Sequence, residues 1–155
     1  MSGYDHTQRA PMHWILWAVV VLVAGIAWLT RGEPGTLVPL GIVECLCVIA
    51  ALAFKWLRVC DAGEALLIAF GPLPLARKRI RYSDVAGVEM ARSTLVDGWG
   101  IHYVIGRGWI WNLWGRDCAR LTLRNGRHFR IGTDDPAGLV AFLESRIGSG
   151  HHSDQ

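Results

Sequence analysis

The chain has 155 residues, a net charge of +3 and four cysteines. This length allows one ordinary domain, or a smaller domain with an additional part, and so weak a positive charge disfavours nucleic acid as a partner. Apolar residues make up 52% of the chain, but they are concentrated in its first third.

Two long apolar runs follow a short N-terminal tail, residues 1–13. Residues 14–30 contain no charged side chain, and residues 37–54 contain one, Glu44. As helices that rise about 1.5 Å per residue, both runs are long enough to cross most of a hydrocarbon core of about 30 Å. Buried helices of a soluble core are the alternative, but the first run lacks the polar face of such a helix. The sequence therefore predicts two transmembrane helices, residues 14–30 and 37–56.

The connector between the two runs, residues 31–36, is short and rich in turn-forming residues, which predicts an antiparallel hairpin. Arg9, Lys55 and Arg58 flank one side of this hairpin, whereas the connector carries one arginine that a glutamate offsets. The positive-inside rule therefore predicts an inner (cytoplasmic) membrane protein with both termini in the cytoplasm. A cleaved signal peptide fits poorly, because the tail is weakly basic and a second apolar run follows. In a reducing compartment the cysteines imply no disulfide framework.

Residues 57–148 are predicted to form a domain of short strands with a C-terminal helix. Asn125-Gly126 suits the two positive-φ positions of a type I′ turn and predicts a β-hairpin. Residues 132–136 carry Thr, Asp and Pro at a helix start, so we expect a helix at 135–147, followed by a disordered tail at 149–155. The strand-like segments are residues 64–71, 77–82, 85–92, 101–105, 109–113, 119–124 and 127–131. Together they predict a strongly bent antiparallel sheet that the helix covers at one end.

The order of these segments resembles the bacterial pleckstrin-homology-like (bPH) membrane proteins. The matching pieces follow the two apolar runs and lie at Phe70–Pro72, Arg77–Ile80, Asp84-Val85, Gly98–Ile101 and Ile131–Pro136. The resemblance implies an α+β membrane protein, in which a transmembrane helical hairpin precedes a PH-like antiparallel β-barrel capped by a C-terminal α-helix. It implies no catalytic activity, and it transfers no binding residues to this chain.

The basic segment Arg77, Lys78, Arg79 and Arg81 is a candidate contact for anionic lipid head groups. Alternation on a strand places the three arginines on one face, where guanidinium groups can bind phosphates in bidentate fashion. The alternative is a solvated edge strand whose charges prevent aggregation. Both interpretations stay open at this point.

Trp109, Trp111 and Trp114 form a second candidate contact, for lipid or for a protein partner. Trp109 and Trp111 would share one face of a strand, and indole rings favour the membrane interface. Packing of these rings in the core is the alternative.

Glu44 is the third candidate, because a carboxylate inside a transmembrane helix is costly and often functional. It can work in transport, or it can form a hydrogen bond between helices that guides assembly.

No cysteine, histidine or carboxylate spacing indicates a metal site, and no nucleophile has a recognisable sequence context. We therefore expect no cofactor and no enzymatic activity. The expected function is a membrane-anchored binding or scaffold module that docks an anionic lipid, a membrane protein partner or a second copy. An accessory subunit of a transport or envelope system that uses Glu44 is the alternative.

Overall fold

The computed structural model describes residues 3–73, 75–94 and 99–149, which form an α+β protein with two sheets. Its helices are α1 (Met12–Leu29), α2 (Pro34–Ala53) and α3 (Pro136–Ser149), with a 3₁₀ turn at Tyr82–Asp84. Its strands are β1 (Asp5–Arg9), β2 (Trp56–Asp61), β3 (Ala65–Gly71), β4 (Arg77–Arg81), β5 (Val85–Arg92), β6 (Gly100–Val104), β7 (Gly108–Asn112), β8 (Asp117–Leu123) and β9 (His128–Gly132).

The two sheets stay separate over the described part of the chain. The first has the order β1-β2-β3-β4 and is antiparallel throughout, and the second has the order β5-β8-β9-β7-β6. The expected antiparallel barrel is therefore wrong in two respects: these sheets do not close into a barrel, and β7 and β9 run parallel. The 3₁₀ turn at Tyr82–Asp84 leads the chain out of the first sheet before β5 begins. The hairpin that β8 forms with β9 then places β9 beside β7 in the same direction.

Strand β1 lies within residues 1–13, for which the sequence predicts an N-terminal tail. It pairs with β2 in a register that runs from Asp5 opposite Cys60 to Arg9 opposite Trp56. Helices α1 and α2 therefore lie between two neighbouring strands of one sheet. The end of β1 lies beside the start of β2, because the two strands are antiparallel neighbours. Helix α1 therefore leaves the sheet, and α2 returns the chain to the same place.

The helix limits differ slightly from the sequence-based ones. Pro34 fits the first turn of α2, so this helix begins before residue 37, and the connector shortens to residues 30–33. Helix α2 ends at Ala53 rather than at residue 56, because Trp56 already belongs to β2. The final residues, 150–155, lie outside the described residues.

The core fills the space between the two sheets and α3. Leu57, Phe70, Leu121, Ile131 and Leu139 are at most 1% exposed and belong to one cluster. Two loops of the second sheet lie beside the two edges of the first one. On the β1 edge, the Gln8 side-chain amide donates to the Trp114 carbonyl at 3.0 Å. On the β4 edge, the turn between β8 and β9 lies beside Lys78 and Arg79 across a cavity of about 380 Å³. The second sheet therefore crosses the first from one edge to the other.

The turn between β8 and β9 confirms the expected hairpin but not its turn type. The Gly126 N–H donates to the Leu123 carbonyl at 2.9 Å, and Gly126 has a φ of +78°. Asn125 does not have a positive φ, since every positive φ among the described residues belongs to glycine. A type I turn followed by a left-handed glycine fits this pattern, whereas type I′ requires positive φ at both central residues.

Helix α3 begins with the predicted cap. The Asp135 carboxylate accepts the Gly138 N–H at 3.0 Å, and Pro136 occupies the first turn. The Thr133 hydroxyl accepts the Asp135 N–H at 3.0 Å, which fixes the capping residue itself.

Asp61, the last residue of β2, ties the first sheet to α3. Its carboxylate accepts hydrogen bonds from the Tyr82 hydroxyl at 2.8 Å, from the Gly63 N–H at 2.9 Å and from the Arg146 guanidinium. Burial opposes ionisation of this carboxyl, but the three donors outweigh that effect and lower the pKa of Asp61. The contact fixes the end of the sheet that lies away from α1 and α2.

The pairing of β1 with β2 predicts that the helices can be removed without loss of the domain. A variant in which Asn-Gly replaces residues 10–55 joins Arg9 to Trp56 through a two-residue turn. We expect it to fold cooperatively, whereas a fragment of residues 56–148, which lacks β1, should melt more than about 10 °C lower. Circular dichroism melts of the two proteins measure this difference. Equal melting temperatures would contradict a structural role for β1.

The buried contact of Asp61 predicts a stability effect that depends on pH. Asp61→Asn in the full chain, in detergent micelles, should destabilise the domain by about 3 kcal/mol, because Arg146 loses its charged partner. The Asp61 pKa is lowered on folding, so its contribution is complete above the unfolded-state pKa of about 4 and is lost as the pH falls through the lower folded value. Asp5→Asn is the matched control, since Asp5 pairs with Arg58 on the exposed surface, where solvent screens the pair and its contribution is much smaller. Urea unfolding at several pH values compares the two variants, and equal losses would rule out the proposed difference.

Candidate membrane-facing site

The helical hairpin exposes apolar side chains that no other part of the described chain covers. These large exposed residues are Trp14, Ile15, Val19, Val21, Leu22, Ile26, Trp28, Leu29, Leu37, Val38, Ile42, Val43, Leu46 and Ile49. Monomeric soluble proteins rarely expose apolar patches of this extent. Packing within a soluble core is therefore not the arrangement that this chain adopts on its own.

One helix among the described residues is long and apolar enough to cross a membrane. It is the Gly35–Ala53 portion of α2, with a mean hydropathy of 2.3 and 11% of the tested window buried. His13–Leu29 of α1 is apolar but shorter. Length and composition define this finding, and a core helix or a signal sequence meets the same criteria.

Three strands of the first sheet end together where the helices leave it. Arg9 of β1 lies opposite Trp56 of β2, and Trp56 lies opposite Gly71 of β3. We call these three positions the basal row. The Trp56 indole covers Gly71 so closely that a Cβ there would lie 2.2 Å from a ring carbon. A larger residue at position 71 would have to displace the Trp56 indole, so glycine suits this position.

The basic strand β4 runs away from this base. Arg77, Arg79 and Arg81 lie opposite Ala69, Leu67 and Ala65 of β3, so the three arginines share the outer face. At about 3.3 Å per residue, Arg79 lies about 7 Å and Arg81 about 13 Å farther from the basal row than Arg77. The strand thus places equal charges at graded distances from the helices.

Six basic side chains on and beside this sheet are exposed and form no ion pair within the described part of the chain. They are Arg9, Lys55, Arg77, Lys78, Arg79 and Arg81. Arg58 differs, because its Nε donates to the Asp5 carboxylate at 2.8 Å and this hydrogen bond lowers the pKa of Asp5. Lys55 is close to the basal row, since its N–H donates to the Gly71 carbonyl at 3.2 Å. The unpaired charge nearest the helices therefore comes from Arg9, Lys55 and Arg77.

The structure separates the tryptophans that the sequence groups together. Trp111 is 8% exposed and packs between Phe70 and Phe129, with ring centroids at 5.8 and 5.9 Å. It is a core residue, since contact with lipid or a partner would require the core to open. Trp114 is half-buried and stacks on Trp99 at 4.6 Å.

Trp109 is 46% exposed and lines a different surface. With Tyr103, Arg127 and His128 it borders a cleft of about 450 Å³. The floor of this cleft is tight, because Gly108 has a φ of +81° and a Cβ there would lie 2.0 Å from the His128 carbonyl oxygen. Trp109 therefore lines a different cleft from the one that Lys78 and Arg79 border.

Glu44 lies between the helices rather than on their outer surface. It borders a groove of about 480 Å³ together with Trp28, Arg31, Leu37 and Gly41. Its Oε2 is buried and has no hydrogen-bond partner within the described residues. A polar atom in this position can accept a hydrogen bond from a water molecule or from a donor of another chain.

Arg9 and Lys55 belong to the site, although in the sequence they indicate only the orientation of the hairpin. Their place beside β4 depends on the pairing of β1, which no sequence pattern indicates.

No family model and no curated protein matches the sequence. Among the described residues, no three His, Cys, Asp or Glu side chains come close enough to hold a metal ion.

Proposed function

We propose that this protein is a membrane-anchored, non-enzymatic binding module of the PH-like (bPH) type. In this proposal α1 and α2 cross the inner (cytoplasmic) membrane, and both termini and the β domain lie on the cytoplasmic side. The observation that carries the proposal is the insertion of an apolar, uncovered helical hairpin between two paired strands, β1 and β2. A bilayer would cover such a hairpin completely, and the helices would then need no contact with the β domain to bury their apolar side chains.

The crossing of two sheets and the C-terminal helix support the PH-like assignment. The second sheet reaches from the β1 edge to the β4 edge of the first, and α3 packs against β5 and β8. The parallel pair of β7 and β9 departs from the simple antiparallel order that the resemblance implies.

Anionic lipid head groups are the ligands that the charge distribution favours. Arg9 belongs to the basal row, Lys55 and Arg77 lie beside it, and none of the three forms an ion pair among the described residues. A basic residue near an anionic membrane surface contributes about 1 kcal/mol, and this effect decays over a Debye length of about 8 Å. Arg77 should therefore contribute more than Arg79, and Arg81 should contribute least. A membrane protein partner or a second copy of this chain is the alternative ligand for the same basic face.

The graded positions of the arginines give a direct test of lipid contact. The full chain is placed in nanodiscs of phosphatidylcholine, with or without phosphatidylglycerol, and its melting temperature is measured at low and physiological salt. Arg77→Gln should reduce the stabilisation by the anionic lipid by about 1 kcal/mol, whereas Arg81→Gln, the matched control on the same face, should change it little. Equal effects of both substitutions, or no stabilisation by the anionic lipid, would overturn the proposal.

The unpartnered oxygen of Glu44 favours a second candidate function, an accessory subunit of a membrane transport or envelope system. Two helices form no pore by themselves, so this function requires a partner or further copies. Glu44 lies in an open groove beside Gly41, a small residue that permits close approach of another helix. A hydrogen bond between membrane helices contributes about 0.6–2 kcal/mol.

Replacement of Glu44 tests this second candidate. Glu44→Ala should weaken association of the full chain in bilayers by about threefold or more, because alanine can form no side-chain hydrogen bond between helices. Energy transfer between labelled copies reports self-association, and cross-linking reports a partner. Cys45→Ser, at an exposed neighbouring position, serves as the control. Unchanged association and unchanged cross-linking would leave Glu44 without a role in assembly.

A further inference from the structure

The loop between β3 and β4 lies at the same end of the domain as the helical hairpin. Strands β1 and β3 both run antiparallel to β2, so β1 and β3 run in the same direction. Strand β1 continues into α1 after Arg9, and β3 ends at Gly71 in the same row. The chain after Gly71 therefore leaves the sheet on the side from which α1 departs.

This loop exposes apolar side chains and carries no charge. Leu75 is 66% exposed and Leu73 is 36% exposed, and no residue from Gly71 to Ala76 is ionisable. The Leu75 N–H donates to the Leu73 carbonyl at 2.8 Å, and the Phe70 N–H donates to the Ala76 carbonyl at 3.0 Å. These bonds close the loop tightly and hold its two leucines near each other. Pro74, between them, lies outside the described residues.

We propose that the loop between Gly71 and Ala76 is a membrane contact of its own, with Leu73 and Leu75 inserted among the lipids beside the hairpin. This inference rests on the proposed function, since it requires α1 and α2 to cross the bilayer. Its occupant is the lipid bilayer, because the loop lies at the end of the sheet from which the exposed apolar hairpin departs. The loop contributes a third point of attachment besides the two helices.

The neighbouring charges fit this arrangement. Arg77 and Lys78 follow the loop directly and are exposed without an ion pair in the described chain. Leucines that enter the acyl region would hold these cations at the level of the head groups, where anionic lipids attract them. Insertion and charge would therefore act at the same edge, and β4 would stand upright from the membrane surface.

Spin labels at three positions test the inference in the full chain. The labels are attached at Leu75→Cys, Val21→Cys and Glu64→Cys after replacement of Cys45, Cys47 and Cys60, while Cys118 is buried and stays in place. Each protein is placed in nanodiscs of phosphatidylcholine and phosphatidylglycerol. Collision rates with oxygen, which concentrates in lipid, are compared with those of a water-soluble nickel chelate. A melt of each labelled protein confirms that it is folded.

Val21 and Glu64 are the two references. Val21 is 70% exposed in the middle of α1, and Glu64 lies in the turn between β2 and β3, at the opposite end of the sheet. The oxygen-to-nickel ratio at Leu75 should exceed that at Glu64 and shift toward that at Val21.

The possible failures are distinguishable. A lipid-like ratio at Val21 with a water-like ratio at Leu75 overturns the loop contact and leaves the proposed function standing. A water-like ratio at Val21 overturns the membrane-spanning function itself. Low collision rates with both reagents at Leu75 show that protein covers the loop, and this result also overturns the inference.

Discussion

The pairing of β1 with β2 is the constraint on which the rest of the structure depends. It places the departure of α1 and the return of α2 at adjacent positions of one sheet, Arg9 and Trp56. A single helix could not satisfy this geometry, since it would carry the chain away without returning it. The hairpin is therefore joined to the domain through two strands, and hinge motion at one linker is not available to it.

This double connection determines which residues meet at the base of the domain. Arg9, Lys55, Gly71 and Arg77 come from distant parts of the sequence, and the register of the sheet brings them together. The same register fixes the order of β4 outward from the helices. Chemically equal arginines consequently occupy unequal positions, and a simple count of basic residues in this segment would miss that difference.

The sequence predicts the elements whose signals are local. The apolar runs, the hairpin around Asn125-Gly126 and the capped start of α3 all depend on neighbouring residues, and each is present. Strand β1 could not be predicted in this way, because Asp5–Arg9 is polar throughout and becomes a strand only through its partner β2. Long-range packing likewise decides that Trp111 enters the core while Trp109, on the same strand, stays partly exposed. The candidate site was therefore predictable in its β4 part and not in its contributions from Arg9 and Lys55.

The distribution of ion pairs gives the two ends of the domain different chemical characters. At the end away from the helices, Asp61 holds Arg146, and His6 contacts Asp134 at 2.5 Å. Elsewhere on the sheets, Arg92 and Arg120 are paired with Asp117 and Glu89. Folding thus neutralises many of the charges locally, while Arg9, Lys55 and the basic residues of β4 have no ion-pair partner among the described residues. Stability alone gives no reason to gather unpaired cations along one edge and at the base of the sheet, since like charges repel one another there. An anionic surface below the sheet would remove that cost, and a bilayer around the hairpin, as proposed above, would provide such a surface at the required place.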